Sequence, residues 1–155
     1  MNHMTEFVVV TKEGLESLKN ELKELVDVKR PQVANRIKSA REMGDISENA
    51  EYDAARQEQS FVEGRINELE EIIKNAKISN NKSNGEIVVG SKVTLHIDGA
   101  EEVYHVVGAP EANPTLKKIS HESPLGSSLL GKKVGDKIQV EAPIGNLTYT
   151  ILGIE

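Results

Sequence analysis

Asp45 and Glu48 stand three residues apart in the run Gly44-Asp45-Ile46-Ser47-Glu48-Asn49-Ala50-Glu51-Tyr52. At a helix start that spacing puts two carboxylates on one side. Between Glu42 and Glu58 there are six carboxylates and one base, Arg56. Two kinds of chemistry fit. Aspartate followed three residues later by glutamate has the spacing of a capping box, and acids are favoured in a helix's first turn. The same hard oxygens suit Mg²⁺, which takes one or two protein carboxylates and completes its octahedron with waters and phosphate oxygens. Two carboxylates on an exposed tip cannot hold the ion tightly alone. Added to a partner that already holds one Mg²⁺, they could recruit a second for two-metal hydrolysis. The spacing permits both readings and selects neither. Arg41 and Arg56 flank the run on either side, where each could balance neighbouring acids such as Asp53 or grip a phosphate through a guanidinium fork.

Other candidates fall away on their own residues. Gly126-Ser127-Ser128-Leu129-Leu130-Gly131-Lys132-Lys133 approaches a P-loop. Lys133 replaces the hydroxyl residue that would ligate Mg²⁺, and no buried parallel strand is predicted before it. His3, His96, His105 and His121 lack metal-ligand spacing. Asn81-Lys82-Ser83 and Asn146-Leu147-Thr148 fit glycosylation sequons, which mean nothing without export. There is no cysteine, so disulfides and thiolate metal sites are excluded.

The elements that must position the acidic run are legible from periodicity. Leu15, Leu18, Leu22 and Leu25 follow a 3-4-3 rhythm, which Val33, Ile37 and Ala40 resume after Pro31. The proline removes a backbone donor and predicts a kink near Arg30 without ending the helix. Val62, Ile66, Leu69, Ile73 and Ala76 keep the spacing of a coiled-coil seam. Between the two series, Gly44 is a good helix stop and Asp45 a good N-cap. Two helices joined by so short a break run antiparallel and bury their stripes against each other. Arms of this length carry the tip on the order of 45 Å at about 1.5 Å per residue.

Composition then divides the chain. Residues 1–78 are rich in Glu, Lys, Arg, Leu and Ala, and residues 79–85 form a polar Ser/Asn/Lys linker. Residues 86–155 hold most of the glycines and four of the five prolines. There Val93, Leu95 and Ile97 alternate, and Asp98-Gly99 signals a turn before Glu102 to Val107. Ser123-Pro124 opens a short helix that Gly131 stops, and Lys137–Ala142 with Leu147–Leu152 make a closing strand pair. The fold class is α+β: a helical hairpin, then a small antiparallel sheet with one short helix.

Charge and composition limit what this arrangement does. The net charge of −6 weighs against a free-standing nuclease or a general RNA chaperone, because phosphates are repelled. RNA would have to be met locally, inside a partner that neutralises the repulsion. No apolar run approaches the ~20 residues of a membrane span. The opening residues lack the basic and apolar regions of a secretory signal, so a cytoplasmic protein is expected.

The run from Ala40 to Arg56, continued by Phe61-Val62-Glu63-Gly64-Arg65-Ile66, resembles the tip signature of the Gre family of bacterial transcript-cleavage factors, of GreA type. Ile119 to Leu125 and Leu130-Gly131-Lys132 resemble that family's C-terminal domain, so the likeness spans nearly the whole chain. It implies a coiled-coil hairpin followed by an FKBP-like domain. It implies RNA polymerase as partner, with the hairpin in the secondary channel and the C-terminal domain docked on the rim through Ser120, Glu122 and Pro124. The family's acidic residues fall on Asp45 and Glu48, which would share Mg²⁺ with the polymerase only in the complex. Its basic patch falls on Arg41 and Arg56, contacting the channel or the nascent RNA 3′ end. By the same resemblance the protein acts as a monomer and is no enzyme itself. Glu122 stands where relatives often carry a shorter Asn or Asp.

Three other functions are compatible with parts of the chain. A Gre-like regulator could enter the same channel and inhibit, although the intact Asp45/Glu48 pair favours stimulation. A prolyl isomerase would need an aromatic pocket, and the C-terminal half has only Tyr104 and Tyr149 as aromatic residues. A structural coiled-coil adaptor is what periodicity alone would support.

Overall fold

The computed structural model describes residues 7–44, 49–79 and 84–155. They form two compact units, one of Glu16–Asn75 and one combining Met1–Leu15 with Ala76–Glu155.

The helical unit is built from α1 (Lys12–Glu24), a π-helical turn over Leu25–Lys29, α2 (Arg30–Glu42) and α3 (Ala50–Asn75). Pro31 does not end the helix. The turn before it widens, and the Arg30 amide reaches back five residues to the Leu25 carbonyl. A π turn is one of the recognised ways a helix absorbs a lost ladder bond. Val33 and Ile37 of α2 then meet Ala55, Val62 and Ile66 of α3, flanked by Leu22, Leu25, Val26 and Tyr52. Ala40 and Leu69 are also buried, so the predicted seam holds on both arms, and Ala55 extends it toward the tip. Each large apolar side chain so buried contributes about 1.5–3 kcal/mol.

Polar pairs brace the flanks of this seam. Arg30 forks onto Glu63 at 2.7 and 2.9 Å, and Arg65 forks onto Glu21 at 2.8 and 3.0 Å. Arg36 holds Glu51 at 2.9 Å and also pairs with Glu58. Hydrogen bonds from Arg30 keep the Glu63 carboxyl below the usual carboxylate range.

The seam ends sooner than its spacing suggests. Helix α3 stops at Asn75, and Ala76–Ile78 form a strand, β2, that pairs in parallel with β1 (Val8–Val10). Ala76 therefore belongs to a strand and not to the coiled-coil face. The β1–β2 pair joins residues nearly seventy apart, beyond the reach of any local pattern.

The main sheet contains β3 (Lys92–Ile97), β4 (Ala100–Val107), β5 (Lys118–Ser120), β6 (Lys137–Ala142) and β7 (Gly145–Ile154), in the order β5-β4-β3-β7-β6. Asp98 and Gly99 both take positive φ, 48° and 81°, as the tight β3–β4 hairpin requires. Val93, Leu95, Val106, Ile138 and Ile151 bury one face with Ile87, Tyr149 and Leu129, the last from α4 (Pro124–Leu129). The sheet is mixed rather than wholly antiparallel. β4 and β5 run parallel because residues 108–117 cross back over two 3₁₀ turns instead of reversing in a hairpin.

The first turn of α1 belongs to the sheet unit, which includes Met1–Leu15. Thr11 caps the helix, its hydroxyl accepting from the Gly14 amide at 3.0 Å. The Glu111 carboxylate accepts from the Thr11 amide at 2.9 Å, from the Thr11 hydroxyl, and from the Gly108 amide at 2.9 Å.

Candidate functional site at the hairpin tip

Asp45 and Glu48 lie outside the described residues; the arms on either side of them are described. The first described residue of the second arm is Asn49, and it caps α3. Its side-chain oxygen accepts from the Tyr52 amide at 3.1 Å, and its carbonyl accepts from Asp53 at 3.1 Å. The cap expected at Asp45 lies outside the described residues, and Asn49 caps the described start of α3. Asparagine directly before a helix is a strong cap signal, and it would have found this residue in the sequence. The Asn49 side chain also donates to the Ala40 carbonyl on the other arm at 2.7 Å.

All five arginines of the chain lie in the two hairpin arms, and they divide by position. Arg30, Arg36 and Arg65 are held in ion pairs along the arms. Arg41 and Arg56, which flank the tip, form no ion pair among the described residues. The Arg41 guanidinium lies over the Tyr52 ring, 5.8 Å from its centroid, a contact that orients the cation without neutralising it. Arg56 donates to the neutral Gln59 amide at 3.0 Å. The expectation that acids balance these two arginines does not hold among the described residues. Both are exposed.

Ser120, Glu122 and Pro124 are brought together on one tight turn between β5 and α4. The Ser120 hydroxyl accepts from the Glu122 amide at 3.0 Å. The Ser120 carbonyl accepts from the Ser123 amide at 3.0 Å and from the Ser123 hydroxyl at 2.7 Å. Ser123 in turn caps α4 by accepting from Gly126 at 3.1 Å, with Pro124 at the first helical position. A β-carbon at Gly126 would sit 2.0 Å from the Ser120 carbonyl oxygen, so the turn closes only with glycine there. Glu122 is exposed on this rigid turn.

Two other candidates do not assemble. The P-loop-like run starts at Gly126, inside α4, and its amides are already engaged: Ser127 and Leu130 bond within the helix, Gly131 donates to the Ile87 carbonyl and Lys133 to Asp136, so they form no phosphate cradle. In the sheet unit the Tyr104 hydroxyl donates to Glu102 at 2.5 Å, and Lys117 pairs with Glu102 at 3.1 Å. Burial, then the bond to Glu102, raises the Tyr104 pKa, so this phenol stays protonated and engaged. Among the described residues no cluster of His, Asp and Glu could hold a metal, and no described helix is long and apolar enough to cross a membrane.

These features define a class of protein: a helical hairpin with two arginines beside its tip that form no ion pair among the described residues, followed in the chain by a mixed-sheet domain. The family descriptions agree. "Transcription elongation factor, N-terminal" matches residues 8–78, and "Transcription elongation factor, GreA/GreB, C-term" matches residues 82–155. The chain is 45% identical to transcription elongation factor GreA of Thermomicrobium roseum over 97% of its own length and 98% of that protein's. It is 49% identical to GreA of Lactococcus lactis subsp. cremoris, covering 94% and 96%. Among solved structures, the GreA factor homolog Gfh1 of Thermus thermophilus is 32% identical, with 97% and 99% covered and a TM-score of 0.46. The chain belongs to the GreA/GreB family of transcription elongation factors. It binds RNA polymerase and stimulates the polymerase's own cleavage of backtracked transcripts, without being a nuclease itself.

Proposed function

We propose that the chain works by supplying side chains the polymerase lacks: Asp45 and Glu48 as oxygen donors, with Arg41 and Arg56 as anion contacts on either side. The observation that carries this reading is the division of the arginines. Three of five are held in ion pairs along the arms, while the two beside the tip form none among the described residues, in a protein of net charge −6. Exposed guanidinium groups on either side of the tip suit the phosphates of a displaced RNA 3′ end.

The donor set also suits Mg²⁺. Asn49 caps α3, so the helix start does not require the Asp45 carboxylate. Asp45 and Glu48 would hold the ion together with the polymerase, since two carboxylates alone are too few. Bound there, Mg²⁺ would supply Lewis acidity and an activated water for phosphodiester hydrolysis. The protein's own part is to present the carboxylates, orient the guanidinium groups and bring both to the reacting phosphate.

The turn carrying Ser120, Glu122 and Pro124 serves as the rim contact, supported by its rigidity and by the exposure of Glu122. The division 1–78, 79–85 and 86–155 separates the reaching part from the docking part. The docking domain is of FKBP-like type, acting without isomerase chemistry, and the protein works as a cytoplasmic monomer.

The test is to add the pure protein and Mg²⁺ to a backtracked elongation complex and follow RNA 3′-end cleavage. Cleavage should accelerate with polymerase present, and free RNA should stay intact without it. Unchanged cleavage, or cutting of free RNA, would overturn the mechanism.

A further inference from the structure

Helix α2 ends at Glu42, so the Ala40 carbonyl is among the last four, which have no partner within the helix. Helix α3 begins at Ala50, so the Tyr52 amide is among the first, equally without a helical partner. The half-buried Asn49 side chain satisfies one of each. Its amide nitrogen donates to Ala40 on one arm at 2.7 Å, and its amide oxygen accepts from Tyr52 on the other at 3.1 Å. The chemistry fixes the orientation of this amide, because a carbonyl can only accept and a backbone N–H can only donate. Directly below, Ala40 is 1% exposed and Ala55 is fully buried, so the arms are packed tightly under the clasp. Arg41 stacked over Tyr52 makes a second contact between the arms at the same level.

We infer that Asn49 is a positioning residue for transcript cleavage, a clasp that fixes the separation of the two arms where the tip begins. This rests on the proposed role of the tip carboxylates. The side chain must both donate and accept, at a length that spans the two arms. Aspartate has the length and the acceptor but cannot donate, and it sets a carboxylate against the Ala40 carbonyl. Serine keeps the cap but is too short to reach across. Misplacement of reacting groups by an ångström can cost ~100-fold in rate, so loss of the clasp is felt in turnover rather than in affinity.

The experiment compares wild type, Asn49→Ser and Asn49→Asp on one backtracked complex, measuring helicity, half-saturating factor concentration and cleavage rate at saturation. Both variants should keep full helicity and a half-saturating concentration within about two-fold of wild type, while the saturated rate falls about 10-fold. A saturated rate equal to wild type in the Ser variant would overturn the inference. So would a loss confined to the half-saturating concentration, which would make Asn49 a polymerase contact, or a loss of helicity, which would make it a stability residue only. If wild type itself does not stimulate cleavage, the proposed tip mechanism has failed instead, and the two failures remain distinct.

Discussion

The Thr11 backbone amide and the Glu111 carboxylate, 100 residues apart in sequence, are hydrogen-bonded at 2.9 Å, and the Thr11 hydroxyl donates to the other carboxylate oxygen. Glu111 also accepts from the Gly108 amide. One acidic side chain thus closes the first turn of α1 onto the β4–β5 crossover. Removing it strands three donors in a partly buried site. Glu111→Ala should lower the stability of the sheet unit by about 3 kcal/mol, because hydrogen bonds to a charged acceptor are the strong ones and their donors are left unpaired. Chemical denaturation followed by tyrosine fluorescence measures this. A change no larger than that of an ordinary surface substitution would contradict it.

Gly14 and Gly64 separate two effects of the same substitution. Alanine is favoured over glycine in a helix by about 1 kcal/mol. At Gly64 a β-carbon meets nothing within 4 Å, so Gly64→Ala should stabilise the hairpin by nearly that amount. At Gly14 it would lie 1.8 Å from Oε1 and 2.0 Å from Cδ of Glu111, whose carboxylate is pinned by three donors. Gly14→Ala should therefore destabilise by about 2 kcal/mol despite the better helix propensity. The denaturation midpoints of the two variants should move in opposite directions.

Asp45→Asn tests the tip without touching the α3 cap, which is Asn49. Stimulated cleavage should fall about 100-fold, the usual cost of removing one electrostatic participant from a reacting centre. Half-saturating factor concentration and helicity should not change. Wild-type cleavage by this variant at limiting Mg²⁺ would rule out a role for the Asp45 charge.

Arg56→Ala should weaken cleavage of backtracked RNA, and the loss should shrink at high ionic strength, where the attraction of an exposed guanidinium for phosphate is screened. Arg30→Ala, which removes an exposed ion pair with Glu63, should leave cleavage near wild type. Equal losses in both variants would show that the tip position of Arg56 confers nothing special.

Acid should loosen the hairpin flanks in a defined direction. The Glu63 pKa is lowered in the folded protein, first by its hydrogen bond with Arg30. Such a carboxylate stabilises the fold above its unfolded value of about 4.3, and the contribution is lost as pH falls from there through the lower folded value. Glu63→Gln should flatten this acid-side loss, which circular dichroism in urea at a series of pH values resolves. The difference should shrink in about 1 M salt, since the pair is exposed.

Much of this molecule is determined by local sequence. The 3-4 rhythm through Leu18, Val33 and Ile37, and through Val62, Ile66 and Leu69, dictates two helices with matched stripes, because apolar periodicity is a local property. Ser123-Pro124 before α4 and Asp98-Gly99 between β3 and β4 specify a cap and a turn through backbone preferences, which are local too. The acidic run and its flanking arginines are likewise visible as residue types at a spacing. Partnership is a different matter. The β1–β2 pair, the parallel return of β5 beside β4, and the Thr11–Glu111 contact depend on segments brought together from across the chain. Which arginines are neutralised, and which side chain clasps the arms, depend on the register of one helix against the other. A change of one residue in that register would leave the sequence pattern of each arm intact, yet Arg41 would lose Tyr52 and Asn49 would lose Ala40. Only packing decides that, because a hydrogen bond or a stacked cation has to meet its partner within a few ångströms.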